Sequence, residues 1–170
     1  MHTEVIKYIW SVYDKHPKMF VDKNVLDVGS RDINGNNRIF FEDGYYTGLD
    51  LGKGKNVDVV CPIHKYISTQ YDTIICTEML EHDEHYKESL KRMYELLRPG
   101  GLLIITAAGS ARPEHGTRRT TPHASPDTPD YYKNITIEML RKEFRPGMFE
   151  ESETKNSHDM RDIYFYGIKK

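Results

Sequence analysis

Cysteine is scarce: the 170 residues contain only two, which excludes a disulfide framework. Cys61 and Cys76 lie in apolar, strand-like stretches rather than at the close repeated spacings of a zinc site, so both are expected as reduced, buried thiols. Long apolar runs are missing too. No segment approaches the ~18 residues of a membrane span, and the opening "MHTEVIKYIW" has neither a continuous apolar core nor a small-residue cleavage site, which makes the cytoplasm the default location. Nor is there an excess of one charge. Twenty-four Lys and Arg against 26 Asp and Glu give a net charge of −2, which excludes a strongly basic nucleic-acid binder. Internal repeats and low-complexity tracts are also absent. What remains is 38% hydrophobic and 29% charged, too apolar for a disordered chain and of a length that fits one domain over residues 1–170.

Apolar residues in "VIKYIWSVYDK" (Val5, Ile6, Ile9, Trp10, Tyr13) recur at helical spacing, and His16-Pro17 stops the pattern. Beyond it the chain alternates. Strand "NVLDVGS", a short helix near "NNRIFFE", strand "YYTGLDL", a short strand "NVDVV" and strand "YDTIICT" precede helix "HYKESLKRMYELLRP" and strand "GGLLIITAA". Such alternation implies right-handed crossovers and a mostly parallel sheet with helices on both faces. Leu90, Met93, Tyr94, Leu96 and Leu97 cluster on one side of the long helix, which "RPGG" ends. From Ser110 to Asn134 periodicity disappears and four of the eight prolines gather. A connection of that length is expected to be a lid or binding loop. A helix over "ITIEMLRKEF", capped by Thr136, and two strand-like pieces near "MFEESE" and "DIYFYGIKK" close the chain.

An open parallel sheet binds ligands beyond the carboxyl ends of its strands, and "DVGSRDING" begins at such an end. Gly29 permits a tight turn and close approach of a ligand, and the helix expected after it would offer free N–H groups. Asp50 ends the next strand 21 positions after Gly29, the residue type and distance that suit hydrogen bonds from both hydroxyls of a ribose. These features fit a nicotinamide dinucleotide or S-adenosylmethionine. Arg31, in place of the second glycine of G-x-G-x-x-G, and the negative charge of Asp32 and Asp27 disfavour a pyrophosphate and favour a sulfonium with an ammonium group.

The order "VLDVGS…NG", "YYTGLDL", "VDVV", "YDTIICTEMLEH", "ELLRPGGLLIIT", spanning Asn24 to about Ala107, resembles the class I S-adenosylmethionine-dependent methyltransferases, particularly small ones with a GS-x-D-x-NG first motif. The resemblance implies a Rossmann-like three-layer α/β sandwich with a mostly parallel seven-stranded sheet, its last strand antiparallel, and S-adenosylmethionine over the first four strands. It implies that Asp27, Gly29 and Ser30 surround the methionine moiety, that Asp50 takes the ribose and Leu51 the adenine, that Pro62 and Ile63 lie at the adenine edge, and that Thr77 and Glu78 approach the sulfonium. Arg31 and Ile33 depart from the commoner glycine pattern.

Methyl transfer is an in-line displacement that needs alignment and exclusion of water, and a hydroxyl acceptor benefits from a base, most naturally histidine. His115 and His82 are the candidate catalytic residues. "EHDEH", Glu81 to His85, is not H-E-x-x-H and offers no third ligand, so no metal is expected. Arg112, Arg118 and Arg119 with Tyr131 and Tyr132 suit an anionic or planar acceptor. The stretch "EHGTRRT…P…YYKN" resembles methyltransferases found among glycan-modifying proteins, which implies a small or sugar-linked acceptor methylated at oxygen. The alternatives are a nucleic-acid methyltransferase, a non-catalytic scaffold or partner subunit with the same fold, and a nicotinamide oxidoreductase.

Overall fold

A computed structural model describes residues 2–128 and 130–170 of the chain. Side-chain alternation along the strands decides its layers. In β5 (Leu97–Ala108), Leu102 and Ile104 face one side while Leu103, Ile105 and Ala107 face the other, and both sets are fully buried. A strand buried on both faces needs a cover on each.

Among the described residues the sheet has seven strands: β1 Asn24–Val28, β2 Tyr45–Asp50, β3 Val59–Val60, β4 Tyr71–Thr77, β5, β6 Phe149–Asn156 and β7 Asp162–Lys169. Their spatial order is β3-β2-β1-β4-β5-β7-β6. The first five run parallel, and β7 runs antiparallel to both its neighbours. This is the Rossmann-like architecture that the alternating pattern and the family resemblance imply.

Helix α1 (Thr3–Lys15) covers one face with Val5, Tyr8, Ile9 and Val12. Trp10, expected inward from its spacing, is 43% exposed. It lies on the flank of the stripe, where its ring meets the edges of Tyr13 and Phe40. Helices α2 (Tyr86–Leu96) and α3 (Ile137–Glu143) cover the other face through Leu90, Met93, Leu96 and Leu140. The α3 cap is the expected one, because the Thr136 side chain accepts from the Met139 N–H.

Three expectations shift. The helix expected after β1 is only a 3-10 turn, Asn37–Phe40. Phe41 is already extended and Glu42 bridges to Val21, which leaves too few residues for a helix before β2. The N–H groups expected from that helix terminus are therefore not available. The "RPGG" segment belongs to β5 rather than to a helix stop, bulging where the pairing jumps from Tyr71↔Leu97 to Thr73↔Leu102. Cys76 is buried as expected, but Cys61 is only partly covered; both are free.

Strand order reverses between β1 and β4, the usual place for a ligand crevice in an open α/β sheet. Gly29 leaves β1 with φ +80, and a Cβ built there lies 2.8 Å from the Cβ of Met79, just after β4. Glycine is thus required twice, for the left-handed backbone and for the approach of the two strand ends.

Candidate active site

A cavity of about 440 Å³ opens at this reversal point, within the size range of small-ligand sites. Its lining includes Gly29, Asp50, Leu51, Pro62, Ile63, Thr77 and Glu78 of the expected cofactor residues, both histidines His82 and His115, and Arg112. Five carboxylates, Asp50, Glu78, Asp83, Glu84 and Asp127, line it against two guanidinium groups, Arg31 and Arg112. That balance favours a cation.

Asp50 is held by the backbone. Its carboxylate accepts from the N–H of Arg31 at 2.9 Å and of Leu51 at 2.7 Å. A carboxylate has about four acceptor positions, so capacity remains for ribose hydroxyls. Beside it Leu51, an apolar residue left 41% exposed, and the Pro62-Ile63 pair offer a surface for a planar base. The bare backbone at Gly29, the ribose-type carboxylate, the apolar flank and the acidic lining together fit S-adenosylmethionine.

Asp27 and Ser30 do not line the cavity. Alternation turns Asp27 toward the α1 face, where it accepts from Tyr46 Oη at 2.6 Å and Asn37 Nδ2 at 2.8 Å. Burial pushes its carboxyl up to about 6, against the pull of those two bonds. Asn37 also donates to Thr77 Oγ1 at 3.0 Å, so Asp27 reaches the site only by positioning Thr77. The Ser30 hydroxyl is buried against Gly48. Asp32 likewise turns back into its own loop, where an ion pair with Lys55 and bonds from Gly35 and Asn36 hold it down to about 2. The charge argument for a sulfonium is carried by other carboxylates.

Glu78 follows β4 with a left-handed backbone, φ +53. Thr106 Oγ1 donates to it at 2.9 Å, and Arg112 lies 3.4 Å from its other oxygen. Arg112 is also paired with Asp162, which His2 approaches at 3.3 Å. His2 is raised to about 9, first by its bond to Asp162 and then by Glu78. This arrangement, with His2, Arg112 and Glu78 at the cavity wall and Asp162 behind them, has no signal in the sequence, since its members come from four separate segments.

The long connection arches over the cavity. Ala124 to Thr128 line it, and Asp127 pairs with Arg31 from the opposite rim. At the base, Asn134 Nδ2 donates to the carbonyl of Arg112 at 2.9 Å. Arg118 and Arg119 do not converge on the site: Arg119 binds Glu114 and both are exposed. Solvent is the better partner for guanidinium groups on a connection already tied to Arg31 through Asp127. Neither Tyr131 nor Tyr132 lines the cavity, though Tyr132 packs edge-on beside both His82 and His115, 5.6 and 5.0 Å between centroids.

Those histidines stand 5.0 Å apart, nearly perpendicular. Burial, then the neighbouring His115, pushes His82 down to about 4, so it is neutral at physiological pH. Below them lies Glu81, fully buried. Sequence spacing offered no third polar partner for Glu81 and His82; the lid supplies one, with His115 Nε2 at 4.0 Å from Glu81 Oε1.

The chain matches the sequence profile of the family described as "Methyltransferase domain" over residues 12–127. No curated protein sequence matches it. Among solved structures, it resembles the 1,6-didemethyltoxoflavin-N1-methyltransferase of Burkholderia thailandensis with bound 1,6-didemethyltoxoflavin and S-adenosylhomocysteine, at TM-score 0.64 and 20% identity over 91% of this chain and 74% of that one. The magnesium protoporphyrin IX methyltransferase of Synechocystis with bound S-adenosylhomocysteine gives 0.65 and 13%, over 98% of this chain and 83% of that one. The N-methyltransferase NodS of Bradyrhizobium japonicum gives 0.57 and 14%, over 96% and 97% respectively. At these identities the likeness is one of fold. The nicotinamide alternative falls with the family match, and the chain belongs to the methyltransferase-domain family, as a class I S-adenosylmethionine-dependent methyltransferase.

Proposed function

We propose that this methyltransferase acts on a hydroxyl oxygen of a small or sugar-linked acceptor, within one domain spanning residues 1–170 and under a lid formed by residues 110–134. The observation that carries the reading is the continuity of one cavity from Gly29 and Asp50 at one end to His82 and His115 at the other. S-adenosylmethionine supplies a methyl group activated by positive sulfur. Asp50 holds the ribose end, with Leu51, Pro62 and Ile63 against the base. Gly29 lets the amino-acid end approach the backbone, and Thr77 and Glu78 face the sulfonium. Asp27 and Ser30 support this arrangement from beneath.

At the other end the acceptor hydroxyl must lose a proton as its oxygen bonds to the methyl carbon and the carbon–sulfur pair passes to sulfur. His115, on the lid and partly exposed, is the base within reach; His82, buried and neutral, positions it. Arg112 is the one arginine of the expected substrate set that lines the cavity. Arg118 and Arg119 point away, and with five acids in the lining this weakens the nucleic-acid alternative. Among the described residues no helix is long and apolar enough to cross a membrane. Two free thiols suit a reducing compartment such as the cytoplasm.

Calorimetric titration with S-adenosylhomocysteine tests the cofactor end. Micromolar binding is expected, weakened by at least ~1.5 kcal/mol in Asp50→Ala through lost ribose hydrogen bonds and a loosened Arg31 amide. Absence of binding by the parent protein would move the weight to the non-catalytic scaffold reading.

A further inference from the structure

Three polar atoms at the acceptor end are buried with no hydrogen bond of ordinary geometry: both carboxylate oxygens of Glu81, which the backbone N–H groups of Glu81 and Ala108 approach, and Nδ1 of His82. Leaving a buried polar atom unpaired is costly, more so for a charged group. Glu81 is fully buried and His82 is 5% exposed, so solvent does not relieve them. His115 completes the group from the lid. One ligand-capable atom from each of Glu81, His82 and His115 lies within 4.8 Å of the others. A cation about 2.1 Å from each ligand sits among atoms roughly 3–4 Å apart, and the Glu81–His115 separation of 4.0 Å falls at the edge of that range. Two imidazoles and a carboxylate suit first-row divalent metals more than calcium or magnesium.

We propose that Glu81, His82 and His115 bind a first-row divalent cation, and that this cation holds the acceptor through two neighbouring oxygens, such as the vicinal hydroxyls of a sugar. The first half stands on the three residues alone; the second rests on the oxygen-methylation reading. Three protein ligands leave coordination positions open toward the cavity, which His82 and His115 both line. Vicinal oxygens are the smallest acceptor feature able to occupy two of them. An oxygen held there loses its proton to water more easily, so with the cation bound His115 is a ligand, and the base role given to it above belongs to the metal-free protein. Glu78 adds negative charge close by, since its field acts on Glu81.

The lid reaches this position because residue 116 is glycine. Gly116 has φ +69, and a Cβ built on it lies 2.6 Å from Cε1 of His82. A side chain there would lift His115 off the other two ligands.

The test uses untagged full-length protein stripped with a chelator. Cobalt(II) is titrated and followed by visible absorption, zinc(II) by calorimetry, each on the parent, Glu81→Gln and His115→Ala, with S-adenosylhomocysteine binding measured on all three. The expected result is one saturable equivalent of metal in the parent, weakened more than about tenfold in both variants, with S-adenosylhomocysteine affinity within about twofold. Glu81→Gln keeps the buried volume and His115→Ala lies on the lid, so retained S-adenosylhomocysteine binding shows that each variant is folded. No saturable equivalent in the parent, or metal binding unchanged in both variants, overturns the site. If the parent binds metal but not S-adenosylhomocysteine, the function proposed above fails while the metal site stands.

Discussion

At the scale of single residues, the places of Gly29 and Asp50 in the cavity lining were legible because their chemistry is local: a bare backbone where strand becomes loop, and a carboxylate at the end of the next strand. Asp27 and Ser30 lie outside that lining for an equally physical reason. A motif read as a string ignores the alternation that points Asp27 to the opposite face from Leu26 and Val28. Glu81 carried no sequence signal for its lack of partners, because partners are a property of packing. Gly29 supports a sharp expectation. With φ +80 and Met79 in the way, Gly29→Ala should lower the unfolding free energy by about 1–3 kcal/mol and weaken S-adenosylhomocysteine binding, read by urea titration and calorimetry. Unchanged values for both would remove the close approach as the reason for glycine.

At the scale of elements, β4 matches the residues its pattern implied, and α2 does so up to Leu96, where Leu97 of the expected helical stripe instead opens β5. The helix after β1 did not form, because nearby strand pairing took its residues. The connection 110–134 was legible as long and irregular but not in its destination: that His115 returns to His82 depends on the tie of Asn134 to Arg112 and on Gly116. Helix α3 spans only seven residues, so its cap matters. Thr136→Ala should cost about 1 kcal/mol in chemical denaturation, with Thr136→Ser close to the parent. Equal losses in the two variants would assign the effect to the lost methyl instead of the hydroxyl.

For the molecule as a whole, the strand order and the antiparallel last strand agree with the family resemblance in the sequence, while the charge distribution had to be seen. Asp27 links the two scales, as a buried acid whose protonation belongs to the folded state. Its folded carboxyl titrates near 6 against an ordinary value of 3.8. Between about pH 4 and 6 the folded form holds a proton that the unfolded chain has released, so this group's contribution to stability is present in acid and lost as pH rises through 6. The parent should therefore lose stability relative to Asp27→Asn over that window, by on the order of 2–3 kcal/mol, measured as paired urea unfolding curves. A constant difference would mean that Asp27 stays ionised in the fold.

The stacking of Tyr8 in α1 on Tyr164 in β7, 4.4 Å between ring centroids, has a consequence for synthesis. Tyr8 leaves the ribosome long before its ring partner at position 164 is made. Until β7 is released, α1 lacks Tyr164 and Tyr166, and Lys15 lacks its ion pair with Glu153. Contacts across so many residues close late and slowly. Helix α1 must wait, part of its apolar stripe still wet, for β7 to give it a place to dock.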